Sequence, residues 1–275
     1  MTSAEALRRD RTQRRAVTAP RVLAAEWTKA AGVTSTAWTV AGTVGAAGSL
    51  AFVLGSFAGP GSAVSGTSLA TSGYPLAQLG ALVLGVLIGS ADSATGTCLT
   101  TYAAVPRRLP VLGAQVVVTG ALAALTGLAA FAVSVAATAG TAGTGRAAGA
   151  PWALSDPQDL RAAAGYVLFL TGAAVCGVLL GALLRRPLAA LTTAVALFVL
   201  ADQVLAANPG RVTGTVRALL PGGGTRLFAD DAQLAALAAG GGPDLGARGG
   251  GLVLGAWCLG LLLLAGHRLV RRDVA

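Results

Sequence analysis

The chain reads as an all-α membrane protein with six transmembrane helices and both termini cytoplasmic. An interfacial helix precedes the first span, and a short extracellular helix precedes the last. Three observations predict this. Of the 275 residues, 54% are hydrophobic and only 11% are charged, less than half the charge that usually covers a water-soluble domain. Six stretches stay apolar for about the 20 residues a helix needs to cross a hydrocarbon core roughly 30 Å thick. The basic residues gather in the short connections on one side of those stretches. Such hydrophobicity excludes disorder, and the 39 glycines follow no Gly-X-Y period, which excludes collagen.

Residues 1–20 are polar and basic without an apolar period, and predict a disordered cytoplasmic tail. Residues 21–34 predict a helix lying in the membrane interface. At 100° per residue, Leu23, Trp27, Ala30 and Ala31 share one side, while Arg21, Glu26 and Lys29 share the other. Trp27 then sits at headgroup depth, with Glu26 and Lys29 beside it as polar anchors toward membrane lipid. Val22 and Val33 interrupt the polar face.

The remainder, 35–275, holds spans at about 38–57, 75–91, 109–137, 160–184, 187–206 and 251–270. Only Arg185-Arg186 separates the fourth from the fifth, and Pro187 suits the first turn of a new helix, where its missing N–H costs nothing. A cleaved signal peptide is disfavoured, because 37 residues precede an apolar run long enough to span. Between the spans, 58–74 reads as uncharged polar coil, and 140–159 as a similar Gly/Thr-rich coil carrying Pro151-Trp152 and Asp156-Pro157, with Trp152 at the interface. The largest outer segment, 207–250, predicts a short helix over 225–239 that Gly240-Gly241-Gly242-Pro243 ends. Glycines recur four apart at Gly55/Gly59, Gly85/Gly89, Gly177/Gly181 and Gly251/Gly255, a spacing that lets helices pack closely in lipid.

The net charge of +9 raises the question of nucleic acid, which the distribution answers. Six spans put Arg8, Arg9, Arg11, Arg14, Arg15, Arg21, Lys29, Arg107, Arg108, Arg185, Arg186, Arg268, Arg271 and Arg272 on one side, fourteen of the twenty basic residues. That asymmetry marks the cytoplasmic side of a multi-pass plasma-membrane protein, and no nucleic acid partner is expected.

No catalytic constellation is legible. The one lysine, Lys29, follows Glu-Trp-Thr and lies in no glycine-rich loop, so a P-loop is excluded. Cys98, Cys176 and Cys258 stand far apart with a single histidine, His267, which disfavours a disulfide framework or a metal site. No cofactor is expected on this chain. Of the acidic residues, Asp92 and Asp202 fall within spans, about 26 Å past Pro75 and about 22 Å past Pro187. Both read as carboxylates near span ends without a basic partner. The inner loop is richer: hydroxyl residues and Gly96 end the second span, a short helix is expected over 97–104, Pro106 stops it, and Arg107-Arg108 anchor it.

These residues carry a resemblance. Glu26-Trp27-Thr28-Lys29 with Ser35-Thr36-Ala37-Trp38-Thr39 is similar to a signature of actinobacterial type-two ABC transporter permeases, the membrane subunits of exporters. So is Thr95-Gly96-Thr97 with Thr100-Thr101 and Ala103-Ala104-Val105-Pro106-Arg107-Arg108. Asp92-Ser93 stand where that family has Glu-Tyr, and Leu99 where it has Arg, so the contact there is expected to differ.

The resemblance implies that 21–34 is a connecting helix and that Asp92, Thr95, Gly96, Thr97, Thr100, Thr101, Pro106, Arg107 and Arg108 couple the chain to a separate ABC ATPase. ATP and Mg would be bound there and not here. It further implies half of a pathway, completed by a second copy or a paralogous permease. It also implies an outer re-entrant or capping element at 225–239. The alternatives are an ion-coupled transporter or channel resting on Asp92 and Asp202, and a non-transporting membrane sensor or immunity protein.

Overall fold

In hydrocarbon a backbone can satisfy its own polar groups only within a helix or a closed barrel, and these Ala-, Leu- and Val-rich runs take the first solution. The computed structural model describes residues 18–58, 65–94, 108–142 and 156–271. Every element among them is helical. In order they are α1 (Ala19–Gly32), α2 (Thr34–Phe57), α3 (Gly66–Thr71), α4 (Tyr74–Ala94), α5 (Arg108–Ala142) and α6 (Pro157–Leu184). There follow α7 (Pro187–Ala206), α8 (Arg211–Leu219), a 3₁₀ turn (Pro221–Leu227), α9 (Asp231–Ala239) and α10 (Gly246–Arg271). Six helices are long and apolar enough to cross a membrane, as expected of a multi-pass membrane protein.

Each expected span is present, and most are longer than their apolar runs. α10 begins at Gly246 and α5 extends to Ala142, so both helices continue past their apolar runs. The break at Arg185-Arg186 is real. Arg185 is left-handed (φ 56°) and its N–H returns to the Gly181 carbonyl, after which Arg186 is extended and Pro187 opens α7. Arg268 of α10 donates to the Leu183 carbonyl, satisfying one of the carbonyls that α6 leaves open.

α6 is the central helix, packed by α4, α5, α7 and α10. Its contact with α4 is the closest, and the glycine pairs explain it: Gly85 and Gly89 face the Ala174 and Val178 carbonyls, while Gly177 and Gly181 face α4 in return. The fourfold spacing is therefore an internal seam here. Gly251 packs on Leu227, whereas Gly255 has open space before it.

α1 begins at Ala19, two residues before the expected start, with Pro20 in its first turn. Val33, extended, separates it from α2. Its buried face is Val22, Glu26 and Ala30, with Val22 against Val111 and Ala114 of α5. This corrects the expected polarity at Glu26, which belongs with Val22 to the docking face, while Trp27 lies on an exposed side of the helix. Glu26 tolerates burial because Lys29 donates to it at 2.8 Å.

The expected coil at 58–74 is corrected as well. Residues 65–73 fold as α3 and a turn, with the Ser65 hydroxyl accepting from the Ser68 N–H. The single helix expected over 225–239 is two elements, the 3₁₀ turn and α9, parted at Phe228–Asp230.

Candidate functional site

The expected coupling residues are divided by what the structure describes. Asp92 lies in the last turn of α4 and Arg108 opens α5. Thr95, Gly96, Thr97, Thr100, Thr101, Pro106 and Arg107 lie outside the described residues, as do Trp152 and the tail before residue 18. Glu26, Trp27 and Lys29 sit on α1 as above. The constellation that the structure does bring together lies at the opposite end of the bundle, around the segment between α7 and α10.

That segment turns back into the protein. The 3₁₀ turn buries Pro221, Gly222, Gly223 and Gly224. At Gly224 a Cβ would stand 3.0 Å from Phe169 Cδ2 and 3.2 Å from Leu254 Cδ2, so any larger residue would force those side chains to give way. Phe169 is about 18 Å along α6 from Pro157, so the turn reaches well down the bundle. Trp257 Nε1 donates to the Leu219 carbonyl at 2.8 Å, tying α10 to the same descent. Irregular backbone at such depth is tolerated where protein surrounds it or a cavity adjoins it, and both hold here.

The neighbouring helix adapts to it. α7 contains a π turn, Ala196–Leu200, which leaves the Phe198 carbonyl to accept from Gln78 Nε2 of α4 at 3.2 Å. One turn later Asp202 meets Arg217 of α8. The pair is bidentate, Nε to Oδ1 at 2.8 Å and a terminal nitrogen to Oδ2 at 3.1 Å. The Asp202 hydrogen bond is the main reason the Arg217 guanidinium is held above its ordinary range. Asp202 therefore does have a basic partner, contrary to the sequence expectation. Fifteen positions and a reversal of direction at Pro209-Gly210 hide the pairing from helical periodicity.

Above the turn, hydroxyls and carboxylates close a network. Ser65 and Ser68 both donate to Asp230 Oδ2 at 2.9 Å. Asp230 Oδ1 accepts from the Gln233 N–H at 2.8 Å, and Gln233 Nε2 reaches Ser68 Oγ at 2.7 Å. Asp230 and Gln233 form a reciprocal capping box at the start of α9. Thr67 donates to Asp159, Gln158 to Asp231 at 3.1 Å, and Arg161 to the Ala229 carbonyl at 3.1 Å. α3, α6 and α9 are thus bound together by polar groups.

Burial opposes ionisation of Asp230, but the Gln233 N–H and the Ser65 and Ser68 hydroxyls outweigh it and hold the pKa below the ordinary 3.8. A depressed carboxylate contributes stability that is fully present above its unfolded pKa and lost as the pH falls through the folded one. Protection of the α9 amides against hydrogen exchange is accordingly expected to be flat from neutrality to about pH 5, once intrinsic rates are divided out, and to fall below 3.8. Asp230→Ala is expected to cost about 1–2 kcal/mol, so α9 should exchange roughly 5–30-fold faster at neutral pH.

Between this network and the ion pair lies a cleft of about 540 Å³, within the range of small-molecule sites. Asp202 and Arg217 form one wall, and Ser68, Thr71, Tyr74 and Gln233 offer hydroxyl and amide groups. Phe228 forms the floor and continues into an aromatic cluster with Tyr74, Tyr166 and Phe169, ring centroids 5.2–5.7 Å from its own. Such a cleft can bind a compact ligand with both apolar and hydrogen-bonding parts. Among the described residues no three of His, Cys, Asp and Glu converge as a metal site would require.

Two cysteines far apart in the sequence meet in the fold as free thiols. Cys176 and Cys258 lie 82 positions apart, yet their sulfurs are 3.5 Å from each other where α6 meets α10. Comparison with models of protein families, with curated proteins and with solved structures finds no match to the chain.

Proposed function

We propose that this chain is the membrane permease subunit of an ATP-driven ABC exporter, forming half of a translocation pathway. The observation that carries the reading is the sequence Thr95-Gly96-Thr97 through Pro106-Arg107-Arg108. It joins the C-terminus of α4 to the N-terminus of α5, at the end of the bundle that also carries α1 and Arg185-Arg186. Fourteen of twenty basic residues at that end favour its facing the cytoplasm. There a separate ATPase would push on the 97–104 segment, and a second copy or a paralogous permease would complete the pathway. With one lysine in the chain and no P-loop, the motor is a partner. The cleft beside Asp202 and Arg217 would then receive or release cargo on the outer side.

The test is purification from the native membrane followed by identification of bound chains. A P-loop ATPase is expected to co-purify, and insertion of Pro between Thr100 and Thr101 is expected to abolish transport-coupled ATP hydrolysis while leaving the protein folded. A complex without an ATPase, together with a loop that tolerates the insertion, would sink the proposal. The Asp202–Arg217 pair favours a second reading, an ion-coupled transporter or channel. Transport that survives ATP depletion but is lost in Asp202→Asn would select it.

A further inference from the structure

Burying an arginine without a partner is costly, because its charge cannot be removed by deprotonation at any physiological pH. Arg226, in the 3₁₀ turn, is only 5% exposed. Its stem lies against Gly250, where a Cβ would come 2.8 Å from its own Cβ, and its guanidinium lies beside Gly223. Among the described residues it makes no hydrogen bond and no ion pair. The anions nearest in effect are Asp202, whose two oxygens are both taken by Arg217, and Asp244, which is exposed.

Arg226 opens instead on a small cavity of about 30 Å³, walled by Leu205, Pro209, Gly214 and Leu237, with Arg217 as a second cation at its edge. Two guanidiniums share one carboxylate here, and among the described residues the only other carboxylate acting on Arg226, Asp244, does so from an exposed position. Burial and the charge of Arg217 both push the Arg226 pKa down, as an uncompensated cation requires. A cavity this size exceeds what one water needs, yet it is too small for a phosphate or for a carboxylate carried on a larger ligand. Its walls combine the two guanidiniums with the apolar Leu205, Pro209 and Leu237, a mixture that suits a small anion losing part of its hydration.

We propose that this cavity is a binding site for a single chloride-sized monovalent anion, held by the Arg226 guanidinium with Arg217 alongside. The bound ion gives the buried Arg226 guanidinium a direct partner and pins the 3₁₀ turn to α7, α8 and α9. The cavity adjoins the larger cleft, with Arg217 and Leu237 as the wall between them, and requires nothing of the transport proposal.

The experiment uses the purified full-length protein in detergent. Melting is followed as sodium chloride replaces sodium gluconate at constant ionic strength, because gluconate is too large to enter. A rise of several degrees in chloride is expected. Arg226→Met should abolish that rise, and Arg248→Met, at an exposed position, should retain it. Crystals grown in bromide should show anomalous density in contact with Arg226. Equal melting in the two salts with no bromide peak at Arg226 would overturn the proposal and leave the cavity to water. If Arg226→Met fails to fold, the bromide density in the unaltered protein decides alone.

Discussion

Alanine in place of Gly85 is expected to destabilise the bundle by about 3 kcal/mol, although alanine is the better helix former by roughly 1 kcal/mol. The sign reverses because of what lies opposite. A Cβ at Gly85 would fall well inside van der Waals contact of the Ala174 carbonyl oxygen, and one at Gly89 would meet the Val178 carbonyl in the same way. Both obstacles are backbone, so no side-chain rotation relieves them and the two helices must separate. The seam is also reciprocal, since a Cβ at Gly177 would come 2.9 Å from the Leu82 carbonyl. Separation therefore loosens contacts along the whole length of α4 and α6, where Leu82, Val178 and Leu179 are fully buried. Melting in detergent measures the loss, with Gly45→Ala as the control, because a Cβ at Gly45 meets nothing within 4 Å. An unchanged melting temperature for Gly85→Ala would mean that α4 and α6 do not cross as described.

The seam illustrates what was legible in the sequence and what was not. Apolar runs of span length are legible because a continuous apolar run of about 20 residues crosses the hydrocarbon as a helix, whereas barrel strands are shorter and alternate, and all six appear. The glycine spacing was visible too, but spacing alone says only that some helix approaches, not that Gly85 meets Ala174. Where polar groups decide the fold, periodicity carries less. Asp230 and Gln233 were readable as a capping box, and that signal marks the start of α9 at Asp231. The apolar Leu227 and Phe228 drew the expected helix start upstream, although they belong to a turn that packs into the core. Gln78, a lone amide in an apolar run, was the one sequence sign that α7 would present it with a free carbonyl. Asp202 with Arg217, and Cys176 with Cys258, depend on chain reversals that leave no local trace.

Asp202→Asn is expected to cost about 2–4 kcal/mol, close to the penalty for breaking a buried pair, and more than Arg217→Gln. The reason is the third charge. Asp202 attracts Arg226 as well as Arg217, whereas Arg217 repels Arg226. Removing the carboxylate strands two guanidiniums side by side, but removing Arg217 leaves one carboxylate and one guanidinium that still compensate each other. Side chains about a quarter exposed admit some water, which keeps the cost below that of a fully enclosed pair. The double variant Asp202→Asn, Arg217→Gln should regain most of the loss, because it leaves Arg226 without the repulsion. A double-mutant cycle on melting free energies measures the coupling directly. Equal costs for the two single variants would show that Arg226 does not feel this pair, and additive costs would show that the pair itself is not formed. If the asymmetry is found, the carboxylate is what holds two cations together at this end of the bundle, and any ligand entering the cleft meets it already engaged.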